Sequence, residues 1–251
     1  MARQKGIIKL KGTIGDITFY KTQDGHLARE KGGVDGDRIK NDPNFQRTRE
    51  NGAEFGRAGK AGKILRTAFR SLSINASDSR VASRLTQLMM EVIHADMVSE
   101  RGFRNVLDGE TELLKGFEFN INGKLGNSLY APFDSSIDRA AGTLDVNIPS
   151  FSPLAMLAAP NGTTHFKIVS AGAEVDFEAE SFVIGTSATG ILPWTVTDTA
   201  LISQSNSVTP NSTKPLFLVL GVEFYQEVNG AMYPLKNGSY NPLAIVNVSG
   251  M

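Results

Sequence analysis

Three histidines, His26, His94 and His165, lie far apart, and none has a second histidine at metal-ligand spacing. Cysteine is absent, which removes disulfides, thiolate nucleophiles and cysteine metal sites together. The run from Gly56 to Ile64 (GRAGKAGKI) has the outline of a phosphate-binding loop. It fails twice: Arg57 stands where the first glycine belongs, and Ile64 stands where a magnesium-holding Ser or Thr belongs. It also falls inside a helical pattern rather than after a strand. Gly185-Thr-Ser187-Ala-Thr189 misses the nucleophile-elbow pattern because the last glycine is displaced by one residue and no helix follows. Glu50 and Glu54 are spaced as a carboxylate pair. Arg47 and Arg57 flank them, so these four residues read as an alternating ladder along one helix arc. No constellation meets the requirements for catalysis, and the chain reads as a non-enzymatic protein without cofactor or metal.

The helix that carries this ladder has a second unusual face. Arg49, Lys60, Lys63, Arg66 and Arg70 share it with Gly52, Gly56 and Gly59, while Gly62 lies near its edge. Each glycine inside a helix costs about 1 kcal/mol relative to alanine. A small-residue stripe lets another backbone or a ligand approach closely, and the flanking cations favour an acidic surface. Three readings of this face stand: a solvated basic surface, a docking face, or a contact for a nucleic-acid backbone. A candidate acidic partner occurs later in the chain. Glu174, Asp176, Glu178 and Glu180 alternate with Val175, Phe177 and Ala179, which in a strand places four carboxylates on one face. That face reads as solvated, as the docking partner of the basic helix, or as a calcium site.

The elements that must position these residues follow from periodicity. The chain has 251 residues, 41% apolar and 21% charged, enough for a packed core. Its 26 basic and 26 acidic side chains cancel overall. They separate along the chain, with a net charge of +6 over residues 1–115 and −6 over residues 116–251. Short strands are expected at Ile7–Leu10, Asp16–Lys21 and His26–Arg29, with a hairpin at Asp24-Gly25. A Gly-rich stretch runs from Lys31 to Asn41. Asp42-Pro43 marks a helix start, and helical periodicity continues to about Ser73 and again from Ser79 to Glu100, then briefly from Glu110 to Lys115. Beyond residue 116 the pattern is seven or eight short strands, the signature of an immunoglobulin-like antiparallel sandwich. The expected class is α+β. Its parts are an N-terminal hairpin arm and linker (1–41), a basic helical region (42–115) and an acidic β-sandwich (116–251).

No signal-peptide core occurs at the N-terminus, where Lys9 and Lys11 interrupt the apolar run, and no apolar run is long enough to span a bilayer. A cytoplasmic protein, or one exported without a recognisable leader, is expected. Five N-x-S/T sequons (Asn75, Asn161, Asn211, Asn237, Asn247) carry little weight in that setting. The segments Gly12-Thr-Ile-Gly-Asp-Ile-Thr-Phe-Tyr20, Asp24 to Gly33 and Arg47-Thr-Arg-Glu-Asn-Gly-Ala-Glu-Phe-Gly56 resemble a family of uncharacterised Bacteroidota proteins. The resemblance is best over residues 1–115. It implies a bacterial protein with a hairpin start, basic helices and a β-rich C-terminal part, and it implies no activity. The charge split favours head-to-tail contacts between copies, as in rings or filaments, and the hairpin arm suits strand addition to a neighbour. The leading expectation is thus a self-assembling structural protein whose partner is itself. Nucleic-acid binding by the basic helix, or a ligand- or carbohydrate-binding sandwich with the lone Trp194, are the alternatives.

Overall fold

The computed structural model describes residues 2–30, 32–34 and 36–250. The chain divides into two units, residues 1–49 and residues 50–251.

In the first unit, strands β1 (Ala2–Arg3), β2 (Gly12–Ile14), β3 (Ile17–Thr22) and β4 (Gly25–Glu30) form an antiparallel sheet in the order β1-β4-β3-β2. The hairpin expected at Asp24-Gly25 joins β3 to β4, with Thr22 opposite Gly25 at φ +111°. The strand expected at Ile7–Leu10 does not form. The Gln4 side-chain amide accepts the Leu10 N–H at 2.8 Å and donates to the Leu10 carbonyl at 3.3 Å, closing residues 4–10 into a loop. Lys31 and Asp35, from the expected Gly-rich stretch, lie outside the described residues. A short helix α1 (Gly36–Asn41) follows. Asp42 then caps a 3-10 turn (Pro43–Phe45) by accepting the Asn44 N–H, with Pro43 in the first turn as expected. No described residue of this unit is buried.

Helix α2 (Gln46–Ala68) is interrupted before the expected end at Ser73. Phe69, fully buried, takes a non-helical conformation (φ −90°, ψ 16°) ahead of the single turn α3 (Arg70–Ser73). Helix α4 (Val81–His94) is shorter than the expected Ser79–Glu100. Beyond it, the Asp96 carboxylate accepts the N–H groups of Val98, Ser99 and Asn105, so the backbone turns there instead of continuing the helix. Met97 is consequently 89% exposed rather than part of the apolar face. A 3-10 turn covers Thr111–Leu114.

The β-rich part contains α5 (Leu125–Ser128), β5 (Asp134–Asp138), β6 (Thr143–Ile148), α6 (Pro153–Met156), β7 (His165–Asp176), β8 (Ser181–Ala188) and β9 (Leu192–Pro193). It continues with β10 (Ile202–Ser207), β11 (Leu216–Val228), β12 (Ala231–Pro234) and β13 (Leu243–Ser249). One antiparallel sheet runs β12-β11-β7-β8, with β13 paired to β11 and β9 to β7. A second runs β10-β6-β5. This is an α+β fold, but the strand order does not establish the expected immunoglobulin-like arrangement. The larger sheet curls. Asn247 on β13 donates to the Ser135 carbonyl on β5 along one seam, and Ser187 on β8 donates to the Ser205 carbonyl on β10 along the other.

Both faces of β7 and β11 are buried, which explains their near-continuous apolar run. Val169, Ala171, Ala173, Val175, Phe217 and Val219 face one core together with Leu65, Phe69, Leu85 and Met89 from α2–α4. Phe166, Ile168, Leu216, Leu218, Leu220 and Val222 face the other core with Leu144, Val146 and Ile148 of the smaller sheet. Helices and strands therefore share a core, and the charge boundary near residue 116 is not a packing boundary.

Candidate functional site

Within residues 50–251, α2 contributes to three recesses, and its charged residues determine what borders them. Three of the four residues of the ladder expected along α2, Glu50, Glu54 and Arg57, make contacts outside the helix. Glu54 is 1% exposed and accepts the Gly102 N–H at 2.8 Å. Arg57 donates to the carbonyls of Gly102 (2.7 Å) and Arg104 (3.0 Å), and Glu50 lies 3.6 Å from Arg101. These side chains strap the loop after α4 onto α2. Gly102 is required at this contact, because it sits at φ +89° and a Cβ would meet the Glu50 side chain. Burial of Glu54 is tolerated because that N–H bond replaces water, and its other oxygen lies 3.7 Å from His94 Nε2. Arg101, Arg104, Met90, His94 and Phe55, the last 60% exposed, line an open groove of about 810 Å³ beside Glu54. The loop cations of this groove escape a reading of periodicity, because they sit on a turn. Phe55, an aromatic among polar neighbours, is the one sequence signal that points to it.

The basic face is divided among several roles. Arg49 is taken up within the first unit, donating to the carbonyls of Ile39 (2.8 Å) and Asp42 (2.9 Å). Gly52, Gly56 and Gly59 face open space, with nothing within 4 Å of an added Cβ, whereas Gly62 packs on Leu85 and Thr86. Lys60 lies 3.8 Å from Glu180 of the same chain, an exposed pair worth about 0–1 kcal/mol at most. Lys63 and Arg70 are exposed, and Arg66 is half-buried.

The four-carboxylate strand face does not form. Strand β7 ends at Asp176, and residues 177–180 make the turn to β8, with Glu180 at φ +52°. Asp176 accepts the N–H groups of Glu178 and Ala179, and Lys214 binds it at 2.9 Å. Those turn bonds, the Ala179 N–H foremost, and Lys214 hold its carboxyl below the ordinary value. Glu174 accepts the Thr209 N–H at 3.2 Å. Only Glu178 and Glu180 remain exposed, at the turn tip. Glu178 and Phe177 border a recess of about 260 Å³ with Arg57 and Lys60. The structure thus brings part of the basic helix and part of the acidic segment together inside one chain. Among the described residues, no group of three or more His, Asp or Glu side chains is arranged to hold a metal.

Trp194, the candidate of the ligand-binding reading, and Tyr225 are both held by hydrogen bonds within the fold. The Trp194 indole N–H donates to the carbonyls of Pro153 and Leu157, both at 3.2 Å, and its ring packs on the inter-sheet core. Tyr225 donates to Glu223 at 2.7 Å. Burial, reinforced by that carboxylate, pushes its phenol well above the ordinary range, so it remains a protonated donor. No helix among the described residues is long and apolar enough to cross a membrane. No protein-family model matches this chain, and no curated protein and no solved structure is significantly similar to it.

Proposed function

We propose that this protein is a non-enzymatic structural component that assembles with copies of itself, and that its N-terminal sheet is the assembling element. One observation carries the reading. Residues 1–49 carry a four-stranded sheet and, among those described, no buried residue, while Ile14 and Ile17 on its strands and Ile7, Ile8 and Leu10 in the loop after β1 stand exposed. A sheet of that size without a core is marginal by itself, and its open edges and apolar side chains favour pairing with another chain. The occupant is a second copy, because the units are complementary in charge: residues 1–49 carry +5 and residues 50–251 carry −5. A contact between unlike surfaces of one chain type is head-to-tail and builds rings or filaments. The β-rich part then acts as an immunoglobulin-like scaffold, with the glycine stripe of α2 (Gly52, Gly56, Gly59) as an additional close-approach surface.

Light scattering and negative-stain electron microscopy on the full chain test this, at low and high salt. Regular particles that loosen with salt are expected, and Ile7→Ser with Ile8→Ser should abolish them while leaving a folded chain. A monomer at both salts, at concentrations up to hundreds of micromolar, overturns the reading. Tight duplex binding that falls steeply with salt would replace it with nucleic-acid recognition.

A further inference from the structure

We infer that the recess at the C-terminal end of α2 is a binding site for a phosphoryl dianion, either free phosphate or the terminal group of a phosphomonoester. The recess has a volume of about 250 Å³ and is lined by Arg66, Thr67, Arg70, Ser73 and Ser77 over a floor of apolar residues that includes Phe119. Among the described residues, neither Arg66 nor Arg70 has an acidic partner, and the Arg66 Nε is buried without any hydrogen-bond acceptor. The Arg66 Nε has no accessible surface, so an anion in the recess is met by the remaining guanidinium nitrogens of Arg66 and by Arg70, whose charges no acid among the described residues offsets. The Phe69 interruption of the helix leaves Arg66 at the end of α2 and Arg70 at the start of α3, where both border the same recess.

Ser73 and Ser77 add hydroxyl donors. The Thr67 hydroxyl already donates to the Lys63 carbonyl and contributes shape rather than a proton. The nearest acid in sequence, Asp78, does not compete for the cations. It is bound by Arg84 and accepts the N–H groups of Arg80 and Ile121. The volume lies below the roughly 300–1,000 Å³ of pockets for drug-sized ligands, which favours a small anion. Among the described residues lining the recess, Phe119 is the one aromatic, and it is fully buried and presents no stacking platform for bases. A terminal phosphate therefore fits better than a nucleic-acid strand. This site does not depend on self-assembly.

Calorimetric titration of the full-length protein with inorganic phosphate at low ionic strength tests the site, with dimethyl phosphate, a monoanionic diester, as comparison. One saturable site is expected, with the diester at least tenfold weaker. Arg66→Gln and Arg70→Gln should each weaken binding about tenfold with an unchanged thermal midpoint, while Arg66→Lys should restore part of the loss. Lys115→Gln is the control that leaves affinity alone. Absence of saturable phosphate binding, or affinity indifferent to both arginine substitutions, overturns the proposal. Preference for a DNA duplex or for the diester overturns it equally.

Discussion

Residues 1–49 make a four-stranded antiparallel sheet in which no described residue is buried, whereas β7 and β11, the central strands of the larger sheet in residues 50–251, are buried on both faces over most of their length. Both are built from antiparallel backbone ladders. The difference is apolar burial, the main source of net stability, while a ladder alone exchanges bonds with water for bonds with itself. A sheet can therefore be well specified in register and still be weakly held. The first unit has its register from a tight hairpin and a side-chain clamp at Gln4. The second has its register from two cores that read opposite faces of β7 and β11.

The largest expected effect that sharpens this contrast is on stability. Phe119 is fully buried, edge-on to Phe69 at 6.1 Å and to Phe117 at 5.3 Å. Phe119→Ala should lower the unfolding free energy by about 3–5 kcal/mol in urea titrations. Ile8→Ser, at a position 80% exposed, should change it by less than about 0.5 kcal/mol. Comparable losses at the two positions would erase the distinction between the units.

Acid should come next. In the second unit, Asp78, Asp96 and Asp176 all have carboxyls held below the ordinary 3.8. For Asp78 and Asp96 burial opposes ionisation, and the hydrogen bonds they accept outweigh it. A carboxyl depressed in the folded state stabilises the fold above its unfolded value, and that contribution disappears as pH falls through the folded value. Thermal midpoints should therefore hold near neutrality and decline below about pH 4. Asp78→Asn and Asp176→Asn should lower the neutral midpoint and flatten the acid decline. An unaltered acid profile in both variants would mean that these bonds do not bear on stability.

The smallest effect separates the glycines. Gly56 faces open space, so Gly56→Ala should raise stability by up to about 1 kcal/mol through helix propensity alone. Gly109→Ala should do the reverse, because its Cβ would run into the Val92 carbonyl. If Gly56→Ala stabilises the chain and also weakens assembly, the stripe is a docking surface. Stabilisation with unchanged particles would show that it is not.

Local chemistry was readable where the answer lies within a few residues. Asp42-Pro43 starts a helical turn because a carboxylate and a missing N–H act on adjacent positions. The α4 stripe is amphipathic at helical spacing, and Asp24-Gly25 marks a hairpin. The reading failed where a distant or side-chain partner overrode the local pattern. Ile7–Leu10 has strand character, but Gln4 closes it into a loop. Glu174 to Glu180 alternates perfectly, yet Asp176 finds two N–H groups and Lys214, and the strand turns. The ladder on α2 has the spacing for internal pairs, but Glu54 and Arg57 bond the loop at Gly102.

The α+β class, the charge split, the basic helix and its glycine stripe were legible in the amino-acid order, because composition and periodicity act residue by residue. Folding in three dimensions set which of those cations are spent, as Arg49 and Arg57 are on carbonyls and Lys60 is beside Glu180, and which have no acidic partner among the described residues, as with Arg66 and Arg70. It also decided that the N-terminal strands form a sheet without a buried residue. Partner choice for a charge and burial of a side chain both depend on what the rest of the chain brings within a few ångströms, and no local spacing carries that information.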